Sequence, residues 1–166
     1  MIKSGAGPAV NNKDGLILIE INQAEGNRHA SNTTWARPLG DDLYEISHPL
    51  SLISGFDVGD VVRAIASSNE STPTVVETVQ KGDYKTVHFS FLKGVAISDQ
   101  QLILNELGRW DATHDMTFER FYTVVVPESN YDALCEYLKS SVPRTSLIYE
   151  PAVNINTLIM NHFLEG

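Results

Sequence analysis

Cysteine is nearly absent from this sequence, and no long hydrophobic run is present. Cys135 is the single cysteine among 166 residues, so the chain cannot form an internal disulfide or a metal site built from several thiolates. No apolar stretch approaches the roughly 20 residues that cross a membrane, and residues 1–14 lack the apolar core of a signal peptide. These absences favour a soluble cytoplasmic protein with no membrane contact.

Basic residues are also scarce. Lysine and arginine together number 12, against 21 aspartates and glutamates, and the formal net charge is −9. This charge repels a phosphate backbone, so we expect no nucleic-acid partner. The same charge would speed the encounter with a basic protein. Hydrophobic residues make up 42 % of the chain, which is enough to build a core.

Motifs that would indicate catalysis or a bound cofactor are missing. The sequence contains neither G-x-x-x-x-G-K nor G-x-G-x-x-G, and neither H-E-x-x-H nor G-x-S-x-G. Ser90 and Lys93 match S-x-x-K in letters, but they belong to a predicted strand rather than to a helix start. Asp111, His114 and Asp115 lie close in sequence, yet a strand would turn His114 away from the two aspartates. We therefore predict no catalytic residue, no cofactor and no metal.

Short strands separated by turn residues dominate the first half of the chain. The predicted strands are 16–21, 33–39, 43–46, 61–65 and 74–79, with a polar loop over 23–32. Gly40, Asp41 and Asp42 supply the turn of a hairpin, and Gly59 with Asp60 supplies a later turn. Strands at this spacing, with no helix among them, indicate a small antiparallel barrel or sandwich.

The first predicted helix lies near the middle of the chain. Ser98 and Gln101 form a capping box, and Ile97 with Leu102 forms a hydrophobic staple. Gly108 is a suitable residue to end this helix. Its predicted buried side consists of Ile103, Leu104 and Leu107.

A second predicted helix follows two further strands. Tyr131, Leu134, Cys135 and Leu138 recur at helical spacing, which makes Cys135 a core residue rather than a reactive thiol. Strands are predicted at 85–91, 109–118, 121–126 and 145–150. The element order is therefore β-α-β-β-α-β, which is typical of the ferredoxin-like arrangement.

The predicted protein is thus of the α+β class and has four parts. These parts are a mobile arm at 1–14, a small antiparallel β domain at 15–83, a ferredoxin-like domain at 84–150 and a helical extension at 151–166. The extension has an apolar stripe of Ile155, Leu158, Ile159 and Phe163. Two alternatives remain for this amphipathic helix: it docks on the protein's own core, which is the commoner case, or on a partner.

Two stretches and the second-half topology resemble a known family. The first stretch runs from Trp35 to Ile46 and reads WARPLGDDLYEI, and the second runs from Pro49 through Gly59-Asp60 to Val62. Together with the β-α-β-β-α-β half, they resemble the bacterial family called domain of unknown function 4265, over roughly residues 15–150. The resemblance implies a bacterial cytoplasmic origin and a two-part layout. It supplies no catalytic residues.

Acidic residues crowd the predicted turns and form two groups. The first group is Asp41, Asp42, Glu45, Asp57 and Asp60, and the second is Asp111, Asp115, Glu119 and Glu128. Most such charges serve as turn formers and solubilising groups. Where they have a further role, we expect the first group to contact a basic protein.

The leading functional hypothesis is an acidic, non-catalytic binding protein. Its small size, negative charge and missing motifs favour an immunity or antitoxin protein that neutralises a basic toxin domain. One alternative is a small-molecule-binding or regulatory protein, by analogy with other ferredoxin-like domains. A weaker alternative is an enzyme that uses its scattered carboxylates. The identity of a bound partner would distinguish these classes.

Overall fold

The computed structural model describes residues 14–25, 28–50, 55–69, 71–141 and 145–148. The chain is a strand-rich α+β protein that divides into two units, the first made of Met1–Leu50 with Phe56–Gly82 and the second of Ser51–Gly55 with Asp83–Gly166. The predicted arm at 1–14, apart from Asp14, lies outside the described residues. The predicted C-terminal helix lies outside them as well.

The first unit is a small closed β barrel. Its strands are β1 (Ile17–Glu25), β2 (Arg28–Gly40), β3 (Leu43–Ile46), β4 (Val61–Ile65) and β5 (Thr74–Gln80). Consecutive strands pair antiparallel, and β1 closes the barrel on β5 in parallel, with Glu20 opposite Thr74. Of the two predicted alternatives, an antiparallel barrel or a sandwich, the structure has the barrel, and its closing pair is parallel rather than antiparallel.

Alternating apolar side chains fill this barrel. Ile17, Ile19 and Ile21 of β1 are buried, as are Val62 and Ala64 of β4. Residues two apart on a strand point to the same face, so this spacing places each set on the inner side of the wall.

The predicted polar loop over 23–32 is wrong, because strands run through most of it. β1 and β2 stay paired from Ile17 opposite Ala36 to Glu25 opposite Arg28. The pairing needs backbone hydrogen bonds rather than apolar side chains, and polar groups add to it, since the Ser31 hydroxyl donates to Glu20 at 3.0 Å. The hydrophobic pattern that identifies a buried strand gives no signal there.

The second unit is a four-stranded sheet with two helices. Its elements are β6 (Tyr84–Phe91), α1 (Ile97–Glu106), β7 (Thr113–Phe118), β8 (Phe121–Pro127), α2 (Tyr131–Ser140) and β9 (Thr145–Ile148). The strand order is β7-β8-β6-β9, and every neighbouring pair is antiparallel.

The core of the second unit lies between this sheet and the helices. Its buried members from the helices include the predicted sets Ile103, Leu104 and Leu107, and Leu134, Cys135 and Leu138. Phe89 and Phe91 contribute from β6, and both rings contact Tyr122 of β8 with centroids 5.5 Å apart. Both helical stripes are therefore confirmed as core faces.

The start of α1 differs from the prediction. The residue before the helix is Ala96, whose side chain cannot cap it, and Ser98 lies inside the first turn without a capping hydrogen bond. Ile97 and Leu102 are exposed, so they form no staple. The Gln100 side chain instead donates to the Val95 carbonyl at 3.0 Å, which fastens the loop before the helix.

The end of α1 also differs. A 3-10 helix over Leu107–Trp110 continues it, and the left-handed residue that closes this turn is Asp111, with a φ of 54°, rather than Gly108. The Asp111 amide donates to the Gly108 carbonyl at 3.1 Å. Strand β7 consequently begins at Thr113, four residues later than the predicted strand from 109.

Candidate functional site

Asp41 and Asp42 form the turn between β2 and β3. Their φ angles are 53° and 60°, and Gly40 pairs with Leu43 across them, which matches a two-residue hairpin of type I′. Aspartate is one of the few residues with a side chain that adopts positive φ readily. The turn therefore holds both carboxylates out in solvent, where both residues are exposed. We call this pair the acidic turn.

The neighbouring residues show the local electrostatics of the acidic turn. Burial, and then the charge of Asp42, raise the pKa of Tyr44 above its usual value of 10.0. Arg63 donates from its Nη1 to the Asp41 carbonyl at 3.4 Å, but its Nε donates to the Glu77 carboxylate at 2.9 Å. The carboxylates of Asp41 and Asp42 form no ion pair with any described residue.

Glu45 is already engaged on the same hairpin. Its Oε1 lies 2.7 Å from Nη2 of Arg37 on the neighbouring strand, and the two residues face each other across β2 and β3. An exposed pair of this kind contributes about 0–1 kcal/mol. Its charge is largely neutralised locally, so Glu45 adds less negative potential than the acidic turn does.

Asp60 has a different setting from the surface position predicted for it. Its side chain is 0 % exposed, and its carboxylate accepts hydrogen bonds from the Lys81 ammonium, the Gly82 amide at 2.8 Å and the Asp57 amide at 3.0 Å. Asp57 is largely buried beside it, 3.4 Å from Lys81 Nζ. These two aspartates connect the start of β4 to the end of β5, so Asp60 is unavailable to a partner.

The second acidic group is dispersed. Asp111 closes the turn after α1, Asp115 lies on β7, and Glu128 pairs with Lys85 at 3.7 Å. Within the described part of the chain, no three histidine, cysteine, aspartate or glutamate side chains come together as metal ligands. Cys135 is buried, and burial raises the pKa of its thiol above 9.0, which disfavours the reactive thiolate.

His88 lies on a buried polar face of the sheet. Its ring stacks on Phe121 with centroids 5.9 Å apart, and its Nδ1 is 3.3 Å from the Thr123 hydroxyl. Thr123 in turn lies 2.8 Å from the Thr117 hydroxyl. The alternation of β6 places His88 on the face opposite Val87, Phe89 and Phe91.

A groove of about 430 Å³ in the second unit has no counterpart in the sequence prediction. The loop after β6, the first turn of α1 and the turn between β7 and β8 form its walls, and Lys93 and Arg120 line it. These two residues belong to separate loops of the sequence. Only the pairing of β8 with both β6 and β7 brings the loops together, so no local motif indicates the groove.

Comparison with known proteins gives a fold relative and a family. A crystal structure of a hypothetical protein from Neisseria gonorrhoeae is similar, with a TM-score of 0.66 and 11 % sequence identity, over 79 % of this chain and 91 % of that one. At this identity, the likeness concerns the fold alone. No curated protein matches the sequence.

The lengths of the helices and a match to a family model are two further findings. Both helices of the described residues are ten residues long, which is too short to cross a membrane. The family model described as domain of unknown function (DUF4265) matches residues 32–144, which is more than half of the chain. That match includes the acidic turn and most of the second unit. The chain therefore belongs to the family of domain of unknown function 4265.

Proposed function

We propose that the protein is a non-catalytic binding protein that recognises a basic protein partner through the acidic turn. The observation that carries the proposal is the contrast within the first acidic group. Asp41 and Asp42 are exposed on a turn of fixed backbone geometry and form no ion pair among the described residues, whereas Glu45 and the buried Asp60 are both paired. The partner class that this surface fits best is a basic toxin domain, which the protein would neutralise in the cytoplasm as an immunity or antitoxin protein.

The net charge supports this choice of partner. With a formal charge of −9, the chain attracts a basic protein from a distance and repels a polyanion. Complementary charges act mainly on the rate of association, which such steering can raise well above the rate of neutral pairs. An exposed carboxylate on a short hairpin also meets its partner without a prior change in backbone conformation.

We further propose that the second unit has the ferredoxin-like arrangement. Its support is the order of elements, β6-α1-β7-β8-α2-β9, together with the antiparallel strand order β7-β8-β6-β9. This fold hosts many unrelated activities, so the functional argument depends on surfaces rather than on the fold.

The test is a measurement of association rates with a partner captured from the native host. We expect the double variant Asp41→Asn/Asp42→Asn to slow association roughly threefold to tenfold at low salt, and less at 0.5 M salt, where charges are screened. Asparagine is the chosen replacement because it tolerates the positive φ of both positions, whereas lysine would add backbone strain.

A matched variant distinguishes the acidic turn from the overall charge. Asp111→Asn/Asp115→Asn removes two carboxylates from exposed positions of the second unit, and Asp111 has a φ of 54° that asparagine also tolerates. We expect this control to slow association much less. Equal slowing by both variants would assign the effect to net charge, and unchanged rates in the hairpin variant would remove the acidic turn from the interface.

A further inference from the structure

The groove of the second unit contains an unusual concentration of unpaired positive charge. Six of the cationic side chains that the structure describes each form an ion pair with a carboxylate. They are Arg37, Arg63, Lys81, Lys85, Arg109 and Lys139. Lys93 and Arg120 form none within the described residues, and both line the groove. In a chain with nine more negative than positive charges, two uncompensated cations in one concavity point to an anionic ligand.

A third polar group lies in the same wall. Tyr122 is only 9 % exposed, and its ring is stacked in the core against Phe89, yet it lines the groove. Its hydroxyl forms no hydrogen bond to a described residue. The hydroxyl is the part of this side chain that reaches the open side of the groove, where a ligand can accept a hydrogen bond from it.

The start of α1 borders the groove, with uncapped amides and with the acidic side chain of Asp99 in the same turn. Ile97 lies in the groove wall at the first turn of a ten-residue helix, where no side chain caps the free amides. Such amides favour a negative charge. Glu119 also lines the groove and opposes an anion, but it forms no ion pair with Lys93 or Arg120.

Two of the remaining lining residues are apolar and highly exposed. Ile97 is 82 % exposed and Met116 is 61 % exposed, on α1 and β7 respectively. These two side chains border the concavity and are available to cover an apolar part of a ligand. A volume of about 430 Å³ is in the range of small-molecule sites.

The backbone conformation of Arg120 also indicates that the groove is a ligand site. Its φ is 65° at the two-residue turn before β8, a conformation that glycine or asparagine adopts with less strain. An arginine at such a position costs conformational energy, and strained residues of this kind cluster at functional sites.

We propose that this groove binds a small amphipathic anion, a carboxylate that carries an apolar chain. Lys93, Arg120 and the Tyr122 hydroxyl contact the carboxylate, and Ile97 and Met116 cover the chain. This site is separate from the acidic turn, which belongs to the barrel. It assigns the protein a ligand as well as a protein partner.

The test uses octanoate as the probe, with 1-octanol and acetate as controls for the charge and for the chain. Binding to the full-length protein is followed by the amide shifts of Gly94, Val95, Ile97 and Arg120 in NMR titrations. We expect octanoate to bind at least tenfold more tightly than either control, because it alone satisfies both walls of the groove.

Four variants refine this test. Lys93→Met and Arg120→Asn should each weaken octanoate binding roughly threefold to tenfold, since each removes a charged hydrogen-bond donor. Glu119→Gln should strengthen binding, because it removes the opposing charge. Lys139→Met removes one positive charge from an ion pair on α2, outside the groove, and should leave binding unchanged. Melting temperatures confirm that each variant is folded.

Three outcomes with octanoate would overturn the proposal, and one with a peptide would as well. These are equal affinity for octanoate and 1-octanol, equal weakening by Lys139→Met and Lys93→Met, and octanoate-induced shifts that lie away from the groove. An acidic peptide that shifts the four amides when octanoate shifts none would also reject a small ligand and assign the groove to a protein segment.

Discussion

Asp60 shows how a single side chain can depart from its local sequence context. Gly59 and Asp60 have the composition of a turn, and the backbone does turn there, with the Asp60 amide donating to the Asp57 carbonyl at 3.1 Å. The side chain is nevertheless buried, because its partners Lys81 and Gly82 lie 21 and 22 residues further along the chain. Sequence composition predicts the turn but contains no information about these distant donors.

Gly82 is fixed by the same close packing. A Cβ atom at this position would lie 2.5 Å from the backbone carbon of Gly59, well inside contact distance. The approach of the two backbones brings the Gly82 amide to the Asp60 carboxylate. Only glycine fits at this position, because any other residue would place a Cβ atom against the backbone of Gly59.

We expect Asp60→Ala to lower the free energy of unfolding by about 2–4 kcal/mol, because the Asp57 and Gly82 amides and the Lys81 ammonium lose a shared acceptor. Urea unfolding measures this change. Asp115→Ala, on an exposed strand position, is the control and should change stability by about 0.5 kcal/mol or less. A loss below about 1 kcal/mol for Asp60→Ala would show that water replaces the carboxylate.

At the scale of elements, strong periodicity predicted most of the fold. The strand predicted at 85–91 is β6, whose Val87, Phe89 and Phe91 alternate into the core, and the spacing of Leu134, Cys135 and Leu138 identified α2 with its buried face. These patterns are reliable because a buried face must repeat with the period of its element. The ends of β1 and β2 near Glu25 and Arg28 were not predicted, because their residues are polar and the two strands are held together there by backbone pairing.

Helix ends were predicted less well than helix faces. The polar residues near the start of α1 have the composition of a capping box, but the helix begins one residue before Ser98, after Ala96. Ile97 and Leu102 are therefore exposed, and Ile97 becomes part of the groove. A shift of one or two residues at a helix end changes the cap, while the buried stripe of the helix stays the same.

Two leucines on α1 provide a matched test of its packing. Leu104 is 7 % exposed and belongs to the core, whereas Leu102 is 60 % exposed. We expect Leu104→Ala to reduce the free energy of unfolding by about 2–4 kcal/mol and Leu102→Ala by less than about 1 kcal/mol. Denaturant unfolding of both variants gives the comparison. Similar losses from the two substitutions would contradict the orientation of α1.

At the scale of the whole molecule, composition predicted the acidic surface but not its distribution. The net charge of −9 follows from the sequence, whereas the pairing of most described cations follows only from the fold. The acidic turn could be located in advance, since Gly40, Asp41 and Asp42 are adjacent. The groove could not, because Lys93 and Arg120 approach only when β8 pairs with its neighbours.

Every pKa change that is resolved among the described residues is an increase. Burial raises the pKa of Cys135 above 9.0 and, with the charge of Asp42, raises that of Tyr44 above 10.0. For Lys81, burial lowers the pKa, but the hydrogen bond and charge of Asp60, together with Asp57, outweigh it and raise the pKa above 10.5. Each group therefore holds its proton more tightly in the folded protein than in the unfolded chain.

A group with a raised folded pKa contributes stability below its unfolded pKa and loses it as the pH rises through the folded value. We therefore expect the free energy of unfolding to fall progressively above about pH 9, first through Cys135 and then through Tyr44 and Lys81. Urea unfolding between pH 7 and 11 measures this dependence. Cys135→Ala should remove the earliest part of the decline and leave the later part. A free energy that stays constant or rises between pH 9 and 11 would contradict the prediction, because three groups that bind protons more tightly when folded must favour unfolding as those protons leave.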